Sequence, residues 1–180
     1  MSIIFITGGA RSGKSTLAVE LAKKSNGKVA FIATAQAGDD EMKKRISLHK
    51  QERPQDWTTI EEPLDVASAI DSASGHNIVI IDCMTLLVSN LLCSDENMVE
   101  THWIFEKIRE LVDSARKFDG TVIIISNEVG MGIVPENKLA RYFRDIAGKA
   151  NQIIANSADQ VYVCFSGIPL LIKGTSDKIE

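Results

Sequence analysis

A short apolar run that breaks into a glycine-rich turn and resumes as a helix leaves this chain few folds to choose from. Ile3, Ile4, Phe5 and Ile6 are apolar and mostly β-branched. They lead through Thr7 into Gly8, Gly9, Ala10, Arg11, Ser12, Gly13, Lys14 and Ser15, which fits the spacing G-x-x-x-x-G-K-[ST]. Residues 16–24 then read as a helix. Glycines let backbone N–H groups turn inward around phosphate oxygens. The helix that follows adds the positive end of its dipole. Lys14 supplies a mobile cation for the β and γ phosphates, and Ser15 offers a hydroxyl to Mg²⁺. Arg11 either contacts phosphate or faces solvent, and the sequence does not choose.

The rest of the chain supplies a sheet for this turn. Apolar runs recur at 29–33, 78–81, 122–125 and 161–165, each nearly continuous, as in strands buried on both faces of a parallel sheet. Helical stripes fall between them. One is Leu17, Ala18, Leu21 and Ala22; a second is Ile104, Ile108, Leu111, Val112 and Ala115; a third is Leu139, Phe143, Ile146, Ala147, Ala150 and Ile154. The expected fold is α/β, a doubly wound, mainly parallel sheet in a P-loop nucleotide-binding domain of the RecA-like kind. With 180 residues, 44% of them hydrophobic, residues 1–180 suit one catalytic domain around one core. The tail from 174 to 180 is expected to fray.

Composition narrows the partners. The formal net charge is −4 and no aromatic-basic patch is present, so a nucleic-acid partner is not expected. The three cysteines, Cys83, Cys93 and Cys164, are far apart and form no CxxC pair; they read as free thiols in a reducing compartment. The first apolar run is too short for a signal peptide, and no stretch approaches membrane-spanning length. The expectation is a cytoplasmic protein without a membrane span.

A P-loop enzyme also needs a carboxylate near its metal. Asp82 ends the run 78–81, where open α/β sheets place their ligands, and would hold Mg²⁺ directly or through water. Its other reading is a turn or cap residue after the strand.

The segment from Ile32 to Pro54 is less ordinary. A helix is expected to start at Gly38 and Asp39, with acidic residues in its first turn. Met42, Ile46 and His49 then share a face. His49 stands among Lys44, Arg45, Lys50 and Arg53, which suits a polyphosphate. An imidazole titrates near ~6.5, so it is largely neutral and nucleophilic at neutral pH, and nearby cations push the value lower. Attack on an α-phosphate would displace pyrophosphate and leave a nucleotidyl-histidine. Spacing alone equally allows a solvated helix face with one histidine. His76 and His102 read as ordinary surface or packing histidines.

Three strings together resemble the adenosylcobinamide kinase / adenosylcobinamide-phosphate guanylyltransferase family. They are Thr7 to Ser15; Ile32 to Pro54, with Asp39, Asp40, Glu41, Met42, Arg45 and Ile46; and Ser126 to Asn137, continuing through Arg141 and Asp145 to Gly148, Asn151 and Gln152. The resemblance runs along the whole chain and is thinnest from about 62 to 117. It implies phosphorylation of adenosylcobinamide by ATP or GTP, then transfer of GMP from GTP through a guanylyl-histidine to give adenosylcobinamide-GDP. The modified histidine falls on His49. The nucleotide contacts fall on Gly8, Gly9, Ala10, Arg11, Ser12, Gly13, Lys14 and Ser15; on Ala33, Thr34 and Ala35; on Lys50, Gln51, Glu52 and Arg53; and on Glu61 and Asp82. It further implies a homo-oligomer, with a trimer the expected form.

After the fourth strand, Asn127 to Pro135 reads as a mobile loop over a ligand. Glu128 either orients the substrate hydroxyl or a metal-bound water, or caps or pairs locally. Arg141 and Arg144 default to a solvated face or a subunit contact. A P-loop small-molecule kinase without nucleotidyl transfer, and a nucleotide-dependent binding switch, remain the competing functions.

Overall fold

The computed structural model describes residues 1–25, 27–38, 40–51, 54–94 and 101–175; of α2, the side chains of residues 41, 42, 45, 48, 49 and 51 also lie outside the description. In chain order the elements are β1 (Ser2–Gly8), α1 (Lys14–Lys24), β2 (Val29–Ala33), α2 (Asp40–Gln51), β3 (Thr58–Glu61), α3 (Val66–Ser72), β4 (Ile78–Asp82), α4 (Met84–Leu92), α5 (Thr101–Lys117), β5 (Thr121–Ile125), α6 (Lys138–Ser157), β6 (Gln160–Phe165) and β7 (Ile168–Lys173). The strands form one seven-stranded sheet in the order β3-β2-β4-β5-β1-β6-β7. All pairs are parallel except β6 with β7.

Strand alternation divides the core. Ile3, Phe5, Ile32, Val79, Ile81, Val122 and Ile124 face α3, α4, α5 and α6. Ile6, Phe31, Ile78, Ile80, Ile123 and Ile125 face the other way, toward Ala18 and Ala22 of α1. Both faces are covered, which is why these runs are continuously apolar. Each buried isoleucine or leucine stabilises the fold by about 1.5–3 kcal/mol. The two long helices bury the expected stripes, except that Leu139 is exposed and Phe143 half-buried. It sits in the first turn of α6, capped by Asn137, whose Oδ1 accepts from the Ala140 N–H at 3.0 Å. Burial on that helix begins later, at Ile146.

The register places the site. Ala33 pairs with Asp82, Asp82 with Ile125, and Ile125 with Ile6. The carboxyl ends of β2, β4, β5 and β1 therefore line up, and β5 lies between the P-loop strand and the Asp82 strand. Each loop leaving this edge opens onto the same crevice.

Candidate active site

Backbone conformation shapes the cradle. Gly13 caps α1 at φ 96°, and Arg11 has φ 56°. A Cβ on Gly8 would lie 2.5 Å from the Cys164 carbonyl oxygen, so only glycine fits there. Lys14 is buried, and its ammonium donates to the Gly9 carbonyl at 2.6 Å. Burial lowers its pKa, partly offset by Cys83, Asp82 and Cys164. The Cys83 thiol is itself pushed up, first by burial and then by Asp82. The Ser12 hydroxyl is buried with no hydrogen-bond partner among the described residues. Such an orphan inside a phosphate cradle is suited to an absent oxygen ligand.

The tip of the β6–β7 hairpin supports this turn from behind. Gly167 N–H donates to the Ser12 carbonyl at 2.9 Å, and a Cβ on Gly13 would come within 3.0 Å of Gly167 Cα. Ser166 and Gly167 both have positive φ, as a two-residue hairpin requires. The Ser-Gly dipeptide between two apolar runs is the local sequence signal for β7, which the expected strands did not include.

The Ser15 hydroxyl donates to Asp82 Oδ2 at 3.3 Å. A hydroxyl and a carboxylate at the mouth of a phosphate cradle are hard oxygen donors that fit Mg²⁺, with the nucleotide and water completing its shell. Among the described residues no group of three or more His, Cys, Asp or Glu side chains gathers into an all-protein metal cage. The residues present thus fit a nucleotide-bridged ion.

Of the β2 end, Thr34 is fully buried. Its N–H donates to the Asp82 carbonyl at 3.1 Å, its hydroxyl donates to the Cys83 carbonyl and accepts from Cys83 N–H, both at 2.8 Å, and its carbonyl accepts from Asn90 at 2.8 Å. Thr34 is engaged in fixing β2 to the end of β4. Ala33 is buried as well, and Ala35 is half-buried.

Farther along the edge, His49 lies in the last turn of α2; its side chain, like that of Gln51, is outside the description, as are residues Asp39, Glu52 and Arg53 altogether. Lys50 pairs with Glu61 at the end of β3. Beside that pair is a cavity of about 470 Å³ lined by Lys50, Pro54, Gln55, Trp57, Thr59 and Glu61. Its size suits a small ligand, and the half-buried Trp57 offers an aromatic face. No local sequence pattern marks Trp57 as a site residue. Four strand spacings separate β3 from β1, about 19 Å at ~4.8 Å each.

The loop after β5 is anchored to the cradle. Glu128 N–H donates to the Gly8 carbonyl at 2.9 Å, and Glu128 Oε1 accepts from Gly130 N–H at 2.9 Å, so this carboxylate caps its own loop. Asn127 donates to Thr85 at 2.8 Å; Ser126 donates to Asn151 Oδ1 at 2.7 Å. Arg141 does not merely face solvent: it donates to the carbonyls of Pro135 at 2.9 Å and Glu136 at 2.6 Å. His76 bonds Ala73 O and Thr58 Oγ1, and His102 pairs with Glu106, so neither belongs to the site.

The family model for cobinamide kinase / cobinamide phosphate guanyltransferase matches residues 4–172. The chain is 43% identical over 183 residues to the bifunctional adenosylcobalamin biosynthesis protein CobU of Salmonella typhimurium, covering 95% of this chain and 99% of that protein. It is 42% identical over 172 residues to the bifunctional adenosylcobalamin biosynthesis protein CobP of Pseudomonas aeruginosa, covering 94% and 96%. Among solved structures it resembles a KaiC-like protein from Pyrococcus horikoshii, with TM-score 0.53 and 16% identity over 99% of this chain and 74% of that one. That last likeness concerns the fold alone.

Proposed function

Because the chain belongs to the cobinamide kinase / cobinamide phosphate guanyltransferase family, we propose that its one catalytic domain, residues 1–180, carries out both reactions at the carboxyl edge of its sheet. Gly8 to Ser15 hold the phosphates of ATP or GTP, and Lys14 serves both half-reactions. In the kinase step the aminopropanol hydroxyl of adenosylcobinamide attacks the γ-phosphorus, the nucleoside diphosphate leaves, and the hydroxyl proton passes to solvent or a nearby base. Ser15 and Asp82 would hold Mg²⁺, which neutralises charge on the phosphate oxygens. In the second reaction His49 attacks the α-phosphorus of GTP and pyrophosphate leaves. The phosphate oxygen of cobinamide phosphate then takes GMP from the histidine, restoring the imidazole and giving adenosylcobinamide-GDP.

The observation that carries this reading is the separation of two polar sites on one edge: the cradle around Lys14, and the Lys50–Glu61 recess next to the helix of His49. A kinase alone needs the first. Lys50 and Glu61 are assigned to the guanine nucleotide, because ammonium and carboxylate can meet phosphate and the N–H edge of guanine respectively. A homo-oligomer is part of the proposal. Its support is the exposed apolar set Phe165, Ile168, Leu170 and Ile172 on the edge hairpin. Among the described residues no helix is long and apolar enough to cross a membrane.

GTP labelled at the α-phosphate, with Mg²⁺, tests the histidine. The wild type should retain label after denaturation, stable to alkali and lost in acid. His49→Asn should retain none, while phosphorylating adenosylcobinamide within about threefold of wild type. Absence of covalent label in a wild type that binds GTP would leave a P-loop kinase.

A further inference from the structure

We propose that Met131, Ile133 and Val134, on the loop between β5 and α6, recognise the apolar surface of the corrinoid acceptor in the kinase step; this rests on the assignment of cobinamide as acceptor. These side chains are 75%, 96% and 57% exposed. Three large apolar groups within four residues, nearly bare, are costly to display without a partner or ligand.

The display is built rather than frayed. At its start the loop hangs on the cradle through Glu128 N–H and the Gly8 carbonyl, and Glu128 then caps Gly130. At its end Arg141 holds the carbonyls of Pro135 and Glu136, and Asn137 caps α6. Both stems are fixed, and the apolar residues stand between them.

Position identifies the occupant. β5 runs between the P-loop strand and the Asp82 strand, so its loop emerges in front of the place where a cradle-bound nucleotide presents its terminal phosphate. Phosphoryl transfer needs the acceptor oxygen about 3–3.5 Å from phosphorus. An acceptor so placed is within reach of residues 128–137, which leave the strand between the cradle and Asp82. The reacting hydroxyl is a small part of a large macrocycle, so its placement depends on binding energy from remote groups. A corrin carries ring methyl groups between its peripheral amides, and residues 129–134, which carry no charged side chain, offer apolar contacts to those methyls. An anionic ligand would be poorly matched to this segment. The exposed apolar set on β7 lies on the edge strand, three strands from β5.

The experiment replaces Met131, Ile133 and Val134 with serine in the full-length protein. The KM for adenosylcobinamide and its Kd, read from the corrin absorbance, should rise together by about 10- to 100-fold, as expected when three apolar contacts are lost. The Kd for ATP and the α-phosphate labelling by GTP, neither of which involves the acceptor, should stay within about twofold. Ile133→Leu should keep wild-type affinity. An unchanged cobinamide Kd overturns the proposal. So does a fall in assembly mass by light scattering, which makes the patch a subunit contact. A wild type that binds cobinamide but does not phosphorylate it would defeat the kinase assignment, and the Kd comparison would still decide the role of the loop.

Discussion

The cradle end and the α2–β3 end of the catalytic edge are made differently. At the cradle, Lys14 and Ser12 are buried, Thr34 is completely so, and the ends of β2, β4 and β5 are tied through Thr34, Asn90, Thr85 and Asn127. At the other end, β3 is four residues long and exposes Thr58, Thr59 and Glu61. Of the described side chains on α2, those of Asp40, Lys43, Lys44, Ser47 and Lys50 are exposed and Ile46 is half-buried. Lys50 and Glu61 pair at 47% and 62% exposure. A triphosphate is the same in every nucleotide, so a fixed, dry set of dipoles can serve it. A histidine that accepts GMP and passes it to a large acceptor needs open access. On the proposed reading, the rigid end handles what is common to both reactions, and the open end what is particular to one.

Lys14→Met strikes at the shared part. Phosphorylation and α-phosphate labelling should both fall by about 10³-fold or more, since a desolvated cation at the phosphates contributes strongly to transition-state stabilisation. Retained labelling would show that the open end works without the cradle. The same variant should be more stable without nucleotide. A lysine whose folded pKa lies below its ordinary 10.5 is held charged at a cost. That cost is fully present below the folded pKa and is relieved as pH rises toward 10.5. Wild-type stability should therefore gain over that window, and Lys14→Met should lack the gain; thermal melts from pH 8 to 10.5 would read it.

How much could be read from the sequence follows the same division. Gly8 to Ser15 declared itself because its chemistry is local: the spacing, the preceding strand and the following helix are all contiguous. The parallel strands were legible because burial on both faces makes them continuously apolar. β3 was not, because Thr58, Thr59 and Glu61 are polar and the strand is short. β7 contains Pro169 and shows most of its side chains to solvent, as an edge strand can. His49 required the family resemblance, since a histidine in a charged helix carries no geometric signature. Trp57 and the support of Gly13 by Gly167 depend on chain segments distant in sequence, and no local pattern encodes them.

Lys50→Met sharpens the contrast. Loss of the pair with Glu61 should raise the GTP concentration for half-maximal labelling of His49 by about 10-fold, and leave ATP-driven phosphorylation of cobinamide within about twofold. Equal damage to both reactions would mean that the recess belongs to the shared site, and the division proposed here would fail.

The smallest effect comes from the opposite edge of the sheet, where the sequence places a clasp with no part in catalysis. Asp159 Oδ2 accepts from Ile3 N–H at 2.7 Å, and Arg116 reaches both carboxylate oxygens at 3.0 and 3.1 Å. Burial would raise the Asp159 pKa, but the Ile3 N–H, Arg116 and Lys173 together hold it below the ordinary 3.8. A depressed carboxylate contributes stability that is present above 3.8 and is lost as pH falls through the folded value. The side chain is 44% exposed, so solvent screens the pair and Asp159→Asn should cost only about 0.5–1 kcal/mol, or ~1–4 °C in Tm. Both reactions should keep their rates, because β1 stands between this clasp and the cradle and is held along its length by β5 and β6. A variant with normal Tm and impaired phosphorylation would show that the position of β1, and with it Gly8, is set from the far end of the strand.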